Sequence, residues 1–364
     1  MFFWIWSIPL LLCCCAGFYL FRRNTIPIGT AMSAQSRRLS VIIPARNEEA
    51  NLPFLLQSLR EQTWQPYEII VVDDHSSDRT REIAESFGVK VIANPELPPD
   101  WTGKNWAVWN GYSQASGDLI AFLDADIRLA PRALESLVAA REATGGVLSV
   151  VPYHYTEKFH ERLALITNIL GVFAFMSPFE KNNPKKGLYG SFILTAREDY
   201  EKVNGHESIK SEVLDDLNLG ARYMQAGIRV TNFIGRGLVS FRMYAHSIRN
   251  EVEGFSKSAV LGTTNLKKGT IFLVAVWVAG LLVSEAAWFA VSTSWAIPLA
   301  IGYLFYMLQM IYFVKYTGRF GYAMLLLHFL SGLFFIVVIL YSTYQVSVLG
   351  HVSWKGRHIK VGGG

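Results

Sequence analysis

The sequence predicts an α/β domain on a doubly wound, mostly parallel sheet, with apolar membrane-crossing helices before and after it. Three observations predict this. Short β-branched runs alternate with helical stretches between residues 38 and 268, an apolar run of about twenty residues opens the chain, and three more apolar blocks occupy 271–349.

The 364 residues are 51% hydrophobic and 17% charged, enough for one full-sized domain and too apolar to be only that. The net charge of +5 comes from Lys and Arg that are scattered or grouped beside apolar segments. That distribution suits a membrane surface better than a nucleic acid, so no nucleic-acid partner is expected. Cys13, Cys14 and Cys15 are adjacent in the first apolar run. They cannot bridge one another and imply neither a disulfide framework nor a zinc site; acylation and small apolar filler are the readings left open.

Residues 1–23 read as an uncleaved transmembrane anchor. No basic residue precedes the apolar run and no small-x-small site closes it, which argues against a signal peptide. Arg22, Arg23, Arg37 and Arg38 follow it, so the positive-inside rule places the next domain in the cytoplasm.

That domain covers 38–268. Its strands are expected at 40–43, 69–72, 89–93, 119–123 and 147–151. Sheets of this class bind ligands at the carboxyl ends of their strands. Those ends, residues 44–48, 73–78 and 124–126, are the most carboxylate-rich points of the domain. Residues 163–179 form a long apolar stretch holding Asn168 and Pro178. It reads as a helix in the membrane interface or, equally, as a buried helix.

Beyond Lys267 and Lys268, blocks 271–293, 295–314 and 322–349 read as transmembrane or re-entrant segments of a multi-pass membrane protein. Three full crossings would leave the basic tail, 350–364, outside, so one block is expected not to be a simple span. Glu285, inside the first block, needs a partner, a wet cavity or a proton.

Asp124 and Asp126 flank one alanine at the end of an apolar strand. Extended backbone puts both carboxylates on one face, where they repel unless a hard divalent cation joins them to a diphosphate. Acid pairs after strands also serve as turns and helix caps. Upstream, IIVVDDHSSD over 69–78 empties into acids and hydroxyls suited to a base edge and ribose, and VIIPARNEE over 41–49 ends a first strand with a polar clamp. Gly103-Lys104-Asn105 opens a helix where a lysine can meet phosphate oxygens, although a lone lysine there is more often solvated.

These four pieces, in this order, resemble glycosyltransferase family 2 with its GT-A fold, over residues 39–268. The resemblance implies that Ala45, Arg46, Glu48, Asp74, Lys104 and Asp124 cradle a nucleotide sugar, usually of uridine. It implies Mg2+ or Mn2+ on Asp124 and Asp126. GLYGSFILTAR, 187–197, looks like the family's acceptor-side strand. VLDDL, 213–217, stands at its Glu-Asp motif, which makes Asp216 the candidate general base, with Asp215 where glutamate is common. FRMY, 241–244, stands where many members carry Arg-Trp, so Arg242 is expected at the diphosphate; the missing Trp departs from processive polymer synthases. EGFSK, 253–257, is similar to the amphipathic segment before the membrane helices.

A narrower resemblance rests on LSVVPYH (148–154), FRMY, Gly318-Arg319-Phe320 and the terminal WKGR (354–357). Together they look like the family's carotenoid-modifying members. This implies an inverting transfer of glucose from UDP-glucose to a carotenoid carboxylic acid. A hopanoid, glycolipid or polyprenyl phosphate acceptor stays open, as does a catalytically inactive membrane scaffold.

Overall fold

Alternate residues of one strand feed two separate cores, and this fixes the layering. Val41 and Ile43 pack with Leu52, Leu55, Val71 and Ala121 on one face, while Ile42 packs with Ile70, Val72, Val108 and Phe122 on the other. A strand buried on both sides needs helices on both sides, so apolar residues occupy both of its faces. Truncating fully buried Ile42 to alanine is worth about 2–5 kcal/mol.

The computed structural model describes residues 7–29, 37–212, 214–245, 247–354 and 357–360. Its strands are β1 (Leu39–Ala45), β2 (Glu68–Asp73), β3 (Lys90–Ala93), β4 (Leu119–Leu123), β5 (Ile127–Leu129), β6 (Val147–Val151), β7 (Tyr153–Tyr155), β8 (Phe192–Ala196), β9 (Val230–Ile234) and β10 (Val239–Phe241). Contacts divide the chain into two units, one of Asn24–Tyr153 and Pro184–Arg242, the other of residues 1–23, His154–Asn183 and Met243–Gly364.

The first unit holds a seven-stranded sheet of order β3-β2-β1-β4-β8-β6-β9. β1 pairs in parallel with β2 and with β4, so the chain winds outward from β1 and returns to its other side. That reversal opens a crevice between the carboxyl ends of β1 and β4. Pro44 marks the parting, because it has no N–H to give and the β1–β4 ladder ends at Ile42↔Phe122. β8 runs antiparallel to β4 and to β6, and the short β5 and β10 pair antiparallel with each other. The Leu52–Arg60 helix covers one face with Leu52, Leu55, Leu56 and Leu59. The Gly103–Ser113 helix covers the other; a Cβ at Gly111 would meet Ile42 and Val72, so only glycine lets this helix lie flush on the sheet.

The second unit is helical. Three of its helices are long and apolar enough to cross a membrane, Lys268–Trp288, Ala296–Thr317 and His328–Leu349, which suits the chain to multi-pass membrane anchoring. Trp277 is fully buried and donates to Gln309 Oε1 at 2.7 Å, while Gln309 Nε2 donates to Cys14 O at 2.7 Å. A polar pair between apolar helices thus satisfies its own hydrogen bonds. The expected interfacial stretch is the Leu165–Met176 helix followed by a 3-10 turn, Pro178–Asn182. Its Phe173 packs edge-on against Trp277 and Phe313, so this helix is held among the apolar helices. The carboxylate of buried Glu285 packs against Gly332, where a Cβ would collide with it.

The expected fold class, a single doubly wound GT-A domain with transmembrane helices at both ends, is corrected by these findings. All three membrane-length helices among the described residues lie between 268 and 349. The N-terminal helix, Ser7–Leu20, has 14 residues. At 1.5 Å per residue that is about 21 Å, short of a bilayer core of about 30 Å. Residues 1–6 of the expected anchor lie outside the described residues. The sheet is mixed, because β8 opposes both neighbours. Residues 154–183, which include the apolar stretch 163–179 expected as an interfacial or buried helix, belong to the helical unit. The third apolar block is also broken, into Tyr322–Leu326 and a helix starting at His328. In the tail, His351–Trp354 and Arg357–Lys360 pair as antiparallel strands; 355–356 and 361–364 lie outside the described residues, and so does Val213 of the VLDDL motif.

Candidate active site

The carboxyl ends of β1 and β2 form one wall. Asp74 N donates to Ala45 O at 2.8 Å, and Arg46 Nη1 donates to Asp74 O at 3.2 Å while lying 3.7 Å from Asp74 Oδ2. Asp74 is buried, and its Oδ1 accepts from Asn94 Nδ2 at 3.0 Å; Asn94 Oδ1 in turn accepts from Asn110 Nδ2 at 2.8 Å. A buried carboxylate so held is pre-aimed at fixed donors. Asn47 and His75 adopt positive φ at these corners, and Asn47 Oδ1 accepts from Ser77 N at 2.8 Å to join the loops. Glu48 donates its N–H to Thr80 Oγ1 at 2.8 Å and accepts from Asn51 Nδ2 at 2.9 Å, so it also holds the start of the Leu52–Arg60 helix.

The opposite wall is a cluster of carboxylates around one ammonium. Asp124 follows β4, with its N–H on Ser191 O at 3.0 Å. Asp215 and Asp216 open the Asp215–Gln225 helix, where the helix dipole favours negative charge. Lys104 lies in the first turn of the Gly103–Ser113 helix, an end where a cation is disfavoured unless it has partners. It has three: Nζ is 3.1 Å from Asp124 Oδ1, 3.5 Å from Asp215 Oδ2 and 3.8 Å from Asp216 Oδ2. Burial works against its charge, and Asp124, Asp215 and Asp216 outweigh burial, holding the lysine well above its ordinary range.

Asp126 lies beyond Asp124, and its carbonyl accepts the Arg242 N–H at 3.4 Å, next to the Ile127↔Phe241 pair of β5 and β10. The structure therefore brings Lys104, Asp124, Asp215 and Asp216 into one cluster, Ala45, Arg46 and Asp74 into another, and sets Arg242 beside Asp126 through its backbone.

Of the further residues at the site, Leu188, Tyr189 and Gly190 belong to the 187–197 segment read above as an acceptor-side strand, and only His206 lies outside every motif singled out in the sequence. Gly190 has no room for a side chain, since a Cβ there would collide with the Asp216 carboxylate. Leu188 N–H donates to Asp216 O at 3.2 Å, so the GLYG segment and the helix start are locked together. Tyr189 lies in the field of Asp126, Asp124 and Asp216; burial first, then these acids, push its phenol up. His206 is buried against Phe122, with ring centroids 5.1 Å apart. Burial chiefly, aided by Lys104 and opposed by Asp215, pushes His206 down to about 4, so the ring is neutral. Glycines inside a strand-like run are a signal of close backbone approach, which could have flagged Gly190. Nothing in the sequence singles out His206.

Pro44, Lys104, Asp124, Gly190, His206 and Asp216 wall a small cavity over a floor of Val108, Phe122 and Ile193. It has room for little more than one water-sized group. Oxygen donors of this kind suit a hard divalent cation. Among the described residues no three ligand side chains form a ready-made cage. Mg2+-type sites are commonly built from one or two carboxylates completed by substrate phosphates and water, so Asp124 and Asp126 fit such an ion in chemistry.

Comparisons with known proteins find a matching family profile, relatives and solved structures. The profile described as glycosyl transferase family 2 matches residues 40–203. The chain is 30% identical over 359 residues to 4,4'-diaponeurosporenoate glycosyltransferase of Staphylococcus aureus (strain USA300), covering 95% of this chain and 94% of the relative. In fold it is similar to a mannosyltransferase from Pyrobaculum calidifontis solved in complex with GDP-Man and Mn2+, with a TM-score of 0.50 at 15% identity, covering 94% of this chain and 99% of that one. Glucosyl-3-phosphoglycerate synthase from Mycobacterium tuberculosis, solved with Mg2+ and UDP, matches with a TM-score of 0.45 at 22% identity over 68% of this chain and 85% of that one. The 30% identity across almost the whole of both chains establishes the relationship: the chain belongs to glycosyl transferase family 2.

Proposed function

We propose that the chain transfers glucose from UDP-glucose to a lipophilic acceptor, a carotenoid carboxylic acid such as 4,4'-diaponeurosporenoate, with inversion at the anomeric carbon and at the cytoplasmic face of the cell membrane. The observation that carries this reading is the cluster in which Lys104 meets Asp124, just past β4, together with Asp215 and Asp216 at the start of their helix. The acceptor and donor follow the staphylococcal relative, and Lys267 and Lys268 at the start of the first membrane-length helix support the cytoplasmic side.

In this reading Ala45, Arg46, Glu48 and Asp74 hold the nucleoside, and Lys104 and Arg242 face the diphosphate. Asp124 and Asp126 hold Mg2+ or Mn2+, which neutralises charge on the departing diphosphate when bound. Asp216, with Asp215 beside it, takes the proton of an attacking hydroxyl; a carboxylic acid acceptor arrives already ionised near neutral pH and needs positioning more than deprotonation. A hydroxyl-bearing membrane lipid is the second reading, favoured by the placement of a potential base, Asp216, next to Asp124 across Lys104.

The test is turnover of UDP-glucose by the purified full chain, with and without Mg2+ or Mn2+, and the anomeric configuration of the product by NMR. Divalent-dependent UDP release with an inverted β-linked product is expected. Retention of the α configuration, or no release with any nucleotide sugar, contradicts the proposal.

A further inference from the structure

Tyr200 and His206 make two hydrogen-bond contacts with each other, and together these contacts fix where the imidazole proton sits. Tyr200 is fully buried. Its Oη accepts the backbone N–H of His206 at 3.0 Å and lies 2.8 Å from His206 Nδ1. The first contact is to an N–H that must donate, and Tyr200 Oη meets no acceptor but Nδ1 among the described residues, so the buried phenol hydrogen is satisfied only by going to Nδ1. A neutral imidazole that accepts at Nδ1 carries its proton on Nε2. Nε2 has no hydrogen-bond partner among the described residues, and His206 walls the small cavity shared with Lys104, Asp124, Gly190 and Asp216.

This deepens the reading of the site as a nucleotide-sugar pocket and rests on it. A transferred group must lie between the leaving-group side, marked by Asp124, and the acceptor side, marked by Asp216. The cavity between them is far too small for the apolar body of a lipid, yet large enough for one hydroxyl. A hydroxyl there would accept from a neutral N–H donor and donate to a neighbouring carboxylate, which uses both of its hydrogen-bonding roles. We infer that His206 is a specificity-determining residue that donates from Nε2 to one hydroxyl oxygen of the sugar being transferred. The Tyr200 hydroxyl is the positioning group that keeps the ring in that tautomer.

The test is a substrate-by-variant comparison with the full chain in detergent. UDP-glucose and its monodeoxy analogues, each lacking one glucose hydroxyl, are assayed with wild type, His206→Asn and His206→Gln. Asparagine keeps an acceptor near the Nδ1 position for Tyr200 and puts nothing at Nε2; glutamine reaches the Nε2 position with an amide donor. Wild type is expected to lose about 10- to 100-fold in kcat/KM on one analogue. His206→Asn is expected to treat UDP-glucose and that analogue alike, His206→Gln to recover part of the discrimination, and both variants to bind UDP as wild type does by calorimetry. A purely structural role would lower all activities and leave the ratio between substrates unchanged, and that result overturns the inference. If either variant fails to bind UDP, the ratio is read on the other: His206→Gln lacking discrimination, or His206→Asn keeping it, overturns the inference. Wild type inert on every nucleotide sugar sinks the nucleotide-sugar reading along with it. Wild type active, with discrimination equal in all three proteins, sinks the His206 inference alone.

Discussion

The carboxylate of Asp216 lies directly against the α-carbon of Gly190, so that any side chain at position 190 would occupy the space of the acid. The Asp216 carboxylate, the proposed base, is thereby held by a missing atom, backed by the hydrogen bond from Leu188 N–H to Asp216 O at 3.2 Å. Gly190→Ala should push Asp216 from its position without touching the wall at Ala45, Arg46 and Asp74. A misplacement of this kind costs roughly 100-fold in turnover. The expected result is a kcat reduced by about that factor with UDP affinity by calorimetry unchanged; an unaltered kcat would show that the position of Asp216 does not limit the reaction.

Asp216→Asn separates the two acceptor readings. With a hydroxyl acceptor, loss of a general base should lower kcat by about 100- to 10,000-fold and abolish the acidic limb of the pH–rate profile. A carboxylic acid acceptor needs no deprotonation at neutral pH, so the variant should keep most of its rate there. Rates measured between pH 5 and 9 with one acceptor of each kind decide the matter.

Much of the α/β unit was legible because its strands are apolar on both faces. The expected runs at 119–123 and 147–151 are β4 and β6, and Asp74 and Asp124 stand just past the ends of β2 and β4. The membrane architecture was less legible, because hydropathy counts residues and not the helix they build: the opening apolar run yields 14 described helical residues. How 154–183 joins the helical unit was also hidden, since contacts such as Phe173 with Trp277 and Phe313 join segments far apart in the chain. The roles of Gly190 and His206 escaped for the same reason. They lie in what these residues meet across the fold, Asp216 for the one and Tyr200 for the other.

His154 and His206 should stay neutral well below the ordinary imidazole range. Burial is the main cause for both, and each is pushed from 6.5 down to about 4. Between those values the unfolded chain binds protons that the folded chain refuses, so their contribution to stability is full above pH 6.5 and is lost as the pH falls toward 4. Thermal unfolding of the protein in detergent should therefore shift downward from pH 7 to pH 4.5. Nitrogen-15 NMR of the imidazoles should find both rings neutral at pH 5.5, and a charged ring there would contradict the burial argument.

Glu251 behaves in the opposite sense. It is buried on the Ile248–Ala259 helix, and burial first, with Glu161 nearby, pushes its carboxyl up to about 8. A carboxyl raised in the folded state contributes stability that is full below pH 4.5, where the unfolded chain also holds the proton, and is lost as the pH rises from there through about 8. Glu251→Gln, a neutral stand-in for the protonated acid, should unfold at the same temperature as wild type near pH 4.5 and at a progressively higher one as the pH rises toward about 8, with no further divergence above that. A variant that unfolds in parallel with wild type across that range would show that Glu251 is already ionised in the folded protein.

The most direct test of the account is the mass of the lipid made when the purified full chain, a carotenoid-containing membrane extract, UDP-glucose and Mn2+ are combined, beside the same reaction with Asp124→Asn. The account predicts a carotenoid acid heavier by one hexosyl unit with wild type and none with the variant. A reaction in which no lipid gains a sugar, or in which Asp124→Asn glycosylates as well as wild type, would contradict it.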